Sequence, residues 1–456
     1  MQTTSLSRRP LSRRELLLAS GLVLAGSASL TSRSRVWAQA APQSTKGTGR
    51  LVMVMLRGAY DGLSAFVPYA DADYYASRPN IAIAAPDGST KTALKLDNTF
   101  ALHPALALVL PLWQQGVLSF VPSAGLPAPN RSHFEAQYEI ETGQSGKSSA
   151  APGWLNKAAG NDRTITSVIG VGEANPAILA GEAQVRLIPR GQAAQRTGVL
   201  ANDKTRQALM DLYAGNDKLS EAFRKGAGSR MQSAQELSTE KAEMDGKRMG
   251  PAMSTGMDRG MDRDGTPATT QAQNAQMLAA SNGASDPIGL QLDAQHLGTL
   301  MRNDRHLRLG FLSAGGWDTH AYQGNATGQL ANNLGNLGRA IAQLRQNFSE
   351  PGDVVVVMSE FGRTAVENGT RGTDHGFGNA MWLVGNRING GKWHGQWTGL
   401  ARGNLNEARD LPAHHDYRAV LAQVLRATFA MPDSEMASVL PGSNWDSRLD
   451  DLMRKG

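Results

Sequence analysis

Several short apolar runs end in side chains that can do chemistry, and this limits the chain to few architectures. LVMVML at 51–56 leads into RGAYDG, which carries Asp61. RLGFLS at 308–313 leads into AGGWDTH, with Asp318 and His320. DVVVVM at 353–358 leads into SEFGRT, with Glu360 and Arg363, and GTDHG with His375 lies just beyond. Runs that are apolar throughout, rather than alternating, suit strands covered on both faces. The segments 117–121, 166–169 and 381–385 read the same way. In an open parallel sheet, ligands bind outside the carboxyl ends of the strands. The pattern predicts an α/β fold, a mostly parallel sheet covered by helices on both faces, with a site at one edge.

Amphipathic helices are expected between the strands. Leu330, Leu334, Leu337, Ile341 and Leu344 form one apolar stripe at helical spacing. Val420, Leu421, Val424, Leu425 and Phe429 form another, with Asp416 placed as its N-cap. His103-Pro104 opens a third helix and Gly116 closes it. Residues 228–285 break this order. They are rich in Met, Ser, Gly and charge, without an apolar period, and are expected to be a disordered insert. Helices are expected on either side, over 203–225 and 286–303. Thioethers bind soft metals, so copper handling by this Met-rich stretch is a minor alternative. The α/β domain is thus divided into 41–227 and 286–456.

Residues 1–40 read as an export leader. Ser12-Arg13-Arg14-Glu15-Leu16-Leu17 is a twin-arginine pattern, a moderately apolar run follows, and Ala38-Gln39-Ala40 offers a small-x-small cleavage site. The expected location is periplasmic or secreted, with the twin-arginine export machinery as a partner. The leader holds six arginines against Glu15 alone, so it carries most of the net charge of +6. The remaining chain is nearly neutral, which gives no case for nucleic acid or for stable membrane insertion. With no cysteine, thiolate metal sites are excluded. A metal would be held by N and O ligands: zinc, manganese, magnesium or calcium.

Each candidate residue has two readings. Asp61, in a glycine-flanked turn, is a hard-metal ligand or a cap of the next helix. Asp318 and His320, two apart, project to one side of an extended segment as a metal half-site, or pair to stabilise the loop. Glu360 and Arg363 bind a metal and an anion respectively, or each other. His375 is a further imidazole ligand. Ser132 opens the helix of RSHFEAQYEIETG as a simple N-cap, or as a hydroxyl activated by the helix dipole. His133 beside it and Arg57 after the first strand are candidate substrate contacts. His394 and the pair His414-His415 are expected at turns or the surface.

Taken in order, LRGAYDGLSAFVPY, RSHFEAQYEIETG, GGWDTH, SEFGRT, GTDHGFGNAMWLVG and the leader resemble a secreted family of unknown function, number 1501, in the alkaline phosphatase and sulfatase clan. The resemblance implies an alkaline-phosphatase-like fold with a metal centre at the strand ends, usually of two metals. By position, Asp61, Asp318, His320, Glu360 and His375 resemble the clan's ligands and Ser132 its nucleophile. Where the clan has an Asp-His pair this chain reads Glu360-Phe361. The carboxylate stays and the imidazole is replaced by a phenyl ring, which implies one metal, a rearranged site or an inactive one. The implied function is a metal-dependent hydrolase of small anionic phosphate or sulfate esters. The alternative is a non-catalytic binding or export-partner protein that keeps the fold.

Overall fold

The computed structural model describes residues 49–146, 151–161, 167–247 and 271–454. The leader at 1–40 and the Met-rich stretch 248–270 lie outside the described residues. The centre is an eight-stranded sheet. Its strands are β1 (Leu51–Leu56), β2 (Leu118–Gly125), β3 (Ser167–Val171), β4 (Gln184–Ile188), β5 (Leu307–Ala314), β6 (Val354–Met358), β7 (Asn379–Gly385) and β8 (His415–Asp416). The spatial order is β8-β2-β7-β6-β1-β5-β3-β4. β1 pairs in parallel with β5 and β6, and β3 with β4 and β5. β7 runs antiparallel to both neighbours, β2 and β6, while β8 is parallel to β2. β7 is therefore the one reversed strand, and the carboxyl ends of the other seven share one edge. This is the α/β fold, mostly parallel, that the continuous apolar runs imply.

Both faces of the sheet are buried, and the pleat divides each strand between two cores. Leu51, Met53 and Met55 face one core, with Val354, Val356, Ile140, Val420 and Val424. Val52, Val54 and Leu56 face the other, with Val355, Val357, Leu297, Leu334 and Leu337. Each fully buried aliphatic side chain contributes roughly 1.5–3 kcal/mol. The helices that cover the sheet include α1 (His133–Thr142), α2 (Leu290–Asn303), α3 (Gln329–Asn347) and α4 (Tyr417–Phe429). Asp416 caps α4 as expected, accepting from the Arg418 N–H.

Two strands of this sheet escaped the sequence pattern. β4 is an edge strand in which Ile188 alone is buried, so it carries no apolar run. β8 is two residues long. The helical expectation over 203–225 resolves into two helices, Asp203–Leu212 and Lys218–Lys247, with Gly215 between them. The second helix, and another at Gln271–Ala280, run into the range expected to be disordered. Buried Ser233, Ala234 and Leu237 give that stretch an inner face which its Met and charged residues mask in the sequence.

Candidate metal centre

Asp318, His320, His133 and His375 come together from three separate places at the carboxyl edge. The loop after β5 supplies Asp318 and His320, α1 starts at His133, and the loop joining β6 to β7 supplies His375. Backbone geometry brings them close. Gly58, just after β1, has φ +108°, and a Cβ there would lie 2.7 Å from the Asp318 N atom. Asn379 bridges the loops after β1 and β6, donating to the carbonyls of Tyr60 and Phe361 at 3.0 and 2.9 Å.

Asp318 Oδ1 is the focus. It lies 3.0 Å from His320 Nε2, 3.3 Å from His375 Nε2 and 3.5 Å from His133 Nε2. The Nε2 atoms of His133 and His320 each lie 3.0 Å from that of His375. A tetrahedral ion with ligands at about 2.0–2.1 Å sets its ligand atoms roughly 3.3 Å apart. The spacing fits a small cation, and His133, Asp318 and His375 form a group able to hold one.

The outer ring nitrogens are also occupied, as metal-binding imidazoles require. His133 Nδ1 meets Glu360 Oε1 at 2.7 Å. His320 Nδ1 meets Asp374 Oδ1 at 3.0 Å, and His375 Nδ1 meets the Arg131 carbonyl at 2.9 Å. In each case the acceptor turns Nε2 inward. Asp318 and Glu360 are buried, whereas His320 and His375 stay about a quarter exposed, so the cluster opens to solvent on their side.

The electrostatics follow from burial set against pairing. Burial disfavours a charged Asp318, but hydrogen bonds from the three imidazoles and the Arg363 charge hold it well below the usual carboxylate range. Burial likewise disfavours a charged His133. The hydrogen bonds and charges of Asp318 and Glu360 outweigh it and push His133 up to about 9.

Other expected site residues have different places. Asp61 is bound elsewhere: Arg78 holds both its oxygens, at 2.6 and 3.1 Å, and Ser64 and Gln323 donate to it as well. Glu360 stands behind His133, its Oε1 also accepting from Gly58 N and Gln137 Nε2 at 2.8 and 2.9 Å. Arg57 is fully buried between Glu141, Glu173 and Gln137, out of reach of a substrate. Arg363 is buried too, with Nη1 on Asp318 at 2.7 Å and its other nitrogens on Thr373. His133, expected beside a substrate, stands within the cluster itself. Ser132 is the N-cap of α1, exposed, and its hydroxyl makes no cap bond. Phe361 packs its ring 4.9 Å from that of His133 and 5.1 Å from that of His375. His415 is a buried partner of Asp446 rather than a surface residue.

Sequence reasoning missed Asp374, Gln137 and the Arg131 carbonyl. Asp374 adjoins His375 and had a visible signal. The other two had none, because helix phase and a loop carbonyl decide them.

A family model described as "Protein of unknown function (DUF1501)" matches residues 48–440. No curated protein matches. Among solved structures, the alkaline phosphatase from the Antarctic bacterium TAB5 is 11% identical with a TM-score of 0.34, covering 84% of this chain and 99% of that one. Ps i-CgsB is 10% identical with a TM-score of 0.36, covering 89% and 77%. A variant of alkaline phosphatase PafA is 11% identical with a TM-score of 0.31, covering 72% and 64%.

Proposed function

The chain belongs to the DUF1501 family, of unknown function, and we propose that it is an exported hydrolase of phosphate or sulfate monoesters that depends on one divalent metal. The observation that carries this reading is the cluster itself: the imidazoles of His133 and His375 and the Asp318 carboxylate in ligand spacing, with His320 against Asp318 and His375, and each imidazole oriented by its outer nitrogen. Asp318, His133 and His375 would hold the ion, with His320 beside them. A donor set dominated by imidazole favours zinc over manganese, magnesium or calcium. One ion is favoured over two because Phe361 lines the cluster and the Asp61 carboxylate is committed to Arg78.

A bound divalent ion supplies Lewis-acid polarisation of an ester oxygen and eases deprotonation of an attacking hydroxyl. The chain's own residues do the rest. Ser132, one residue from His133, presents a hydroxyl at a helix N-terminus, where a developing alkoxide is stabilised. Glu360 fixes the His133 ring, and Arg363 fixes the Asp318 carboxylate. The twin-arginine pattern at 12–17 supports export to the periplasm before the protein acts.

A specific contact favours a second reading. Arg363 already occupies Asp318 Oδ1, as it would in a protein that keeps the fold for binding alone. Metal analysis of protein purified without chelator, with assays on aryl phosphates and aryl sulfates, separates the two. The hydrolase reading expects about one metal per chain and turnover that is lost in Ser132→Ala, which keeps the metal. Metal without turnover selects the binding protein; protein free of metal and inactive sinks the proposal.

A further inference from the structure

An anionic ester needs a positive group beside the reacting hydroxyl, yet both arginines expected for that task are buried and fully engaged. Arg131 is different. It directly precedes Ser132, and its carbonyl holds His375 Nδ1 at 2.9 Å, so its backbone is part of the cluster's wall. Its side chain is 30% exposed, and it pairs with one exposed carboxylate and one buried one. Nη2 reaches Glu407 Oε2 at 2.8 Å and Asp410 Oδ2 at 3.2 Å. The Nε atom is buried and has no hydrogen-bond partner.

We propose that Arg131 is the anion-binding side chain of this site, leaving Glu407 to take a tetrahedral oxyanion, phosphate or sulfate in type, on its Nε–Nη2 edge. The inference rests on the reading of the substrate as an anionic ester. Three observations favour the move. Glu407 is 57% exposed, so water solvates its carboxylate once the guanidinium departs, and an exposed pair of this kind is worth little. Asp410 is buried but keeps Arg409, whose Nε lies 2.9 Å away, so it is not stranded. The orphaned Nε gains an acceptor when the planar fork meets an oxyanion bidentately. Arg409 also donates to the His375 carbonyl at 2.9 Å, which keeps that loop in place while Arg131 turns.

The test measures inorganic phosphate binding by calorimetry on the full chain, with metal content determined on the same preparations. Arg131→Gln is expected to weaken phosphate binding about tenfold or more, and Arg131→Lys to restore part of the loss. Glu407→Gln is expected to tighten binding by about threefold, because it removes the competing carboxylate. All three variants are expected to retain metal, since the carbonyl that holds His375 is untouched. A parent that binds no phosphate, or an Arg131→Gln protein that binds it as the parent does, overturns the proposal. Phosphate bound through Arg131 by a parent that holds no metal would sink the metal-centre reading while sustaining this one.

Discussion

One oxygen, Asp318 Oδ1, lies within 3.5 Å of four nitrogens, three from imidazoles and one from Arg363. Asp318→Asn keeps the shape but removes the charge that both a cation and Arg363 need. Leaving a buried guanidinium without its partner costs about 3–5 kcal/mol. The variant is therefore expected to lose metal and to unfold at lower urea. Glu360→Gln acts one contact further out. It disturbs the orientation of His133 together with the contacts to Gly58 N and Gln137, so metal affinity is expected to fall by about 10–100-fold, read by competition with a chromogenic chelator. His103 illustrates an imidazole of another kind. Its Nδ1 accepts from the Ala105 N–H and its Nε2 donates to the Asn325 carbonyl, which fixes a neutral ring. Burial lowers its pKa to about 4. The unfolded chain takes up this proton below about 6.5, whereas the fold refuses it until about 4, so stability falls on acidification through that window. Urea melts are expected to show about 2 kcal/mol less stability at pH 5 than at pH 7 from this group, a component absent in His103→Gln. At this scale the sequence showed which residues have chemistry but not which were already neutralised. Arg78 claims Asp61 from a loop that no motif marks, and Glu141 and Glu173 claim Arg57 from distant elements.

The central elements were legible because their physics is local. A strand buried on both faces is mostly apolar: β1 and β6 are so throughout, and β5 is so apart from Arg308 and Ser313. The helix over 329–347 follows from its leucine stripe. The return of the excursion was not legible, because tertiary contacts define its role. The Ala280 carbonyl accepts from Gln137 Nε2 at 2.7 Å, and the same amide holds Glu360 behind His133. Ser281 Oγ accepts from Gly316 N at 3.1 Å, and the Ser285 carbonyl from Gly315 N at 2.7 Å, both just ahead of Asp318. The excursion thus braces the helix that carries His133 and the loop that carries Asp318. Deleting 228–285, a natural experiment if that range were idle, is expected to abolish metal retention as well as lower the melting temperature. Ser281→Ala is the milder form, costing about 1 kcal/mol and loosening metal affinity, as measured by thermal melts and chelator competition. A deletion protein that keeps its metal would show that the brace is incidental.

Across the whole molecule, these contacts join into one buried network at the carboxyl edge. It runs from Asp61 through Gln323, Thr373 and Arg363 to Asp318, then through His133, Glu360 and Gln137 to Arg57 and its two glutamates. Five buried carboxylates, those of Asp61, Glu141, Glu173, Asp318 and Glu360, face three buried guanidiniums, those of Arg57, Arg78 and Arg363. Buried charge without compensation is costly: a protonated His133 supplies one of the two missing positive charges, and a divalent cation that displaces its proton supplies both. Binding of that ion should therefore report on the stability of the entire domain and not only on activity. An ion present at a thousandfold over its Kd stabilises the fold by about 4 kcal/mol. Dialysis against a chelator is expected to lower Tm by about 5–10 °C, with recovery on adding zinc but not magnesium. Asp318→Asn, already lacking one of the charges that the ion offsets, is expected to show almost no response to either treatment. If protein stripped of metal melts where loaded protein does, the network balances its charge by protonation alone, and the cluster is a hydrogen-bonded core rather than a metal centre.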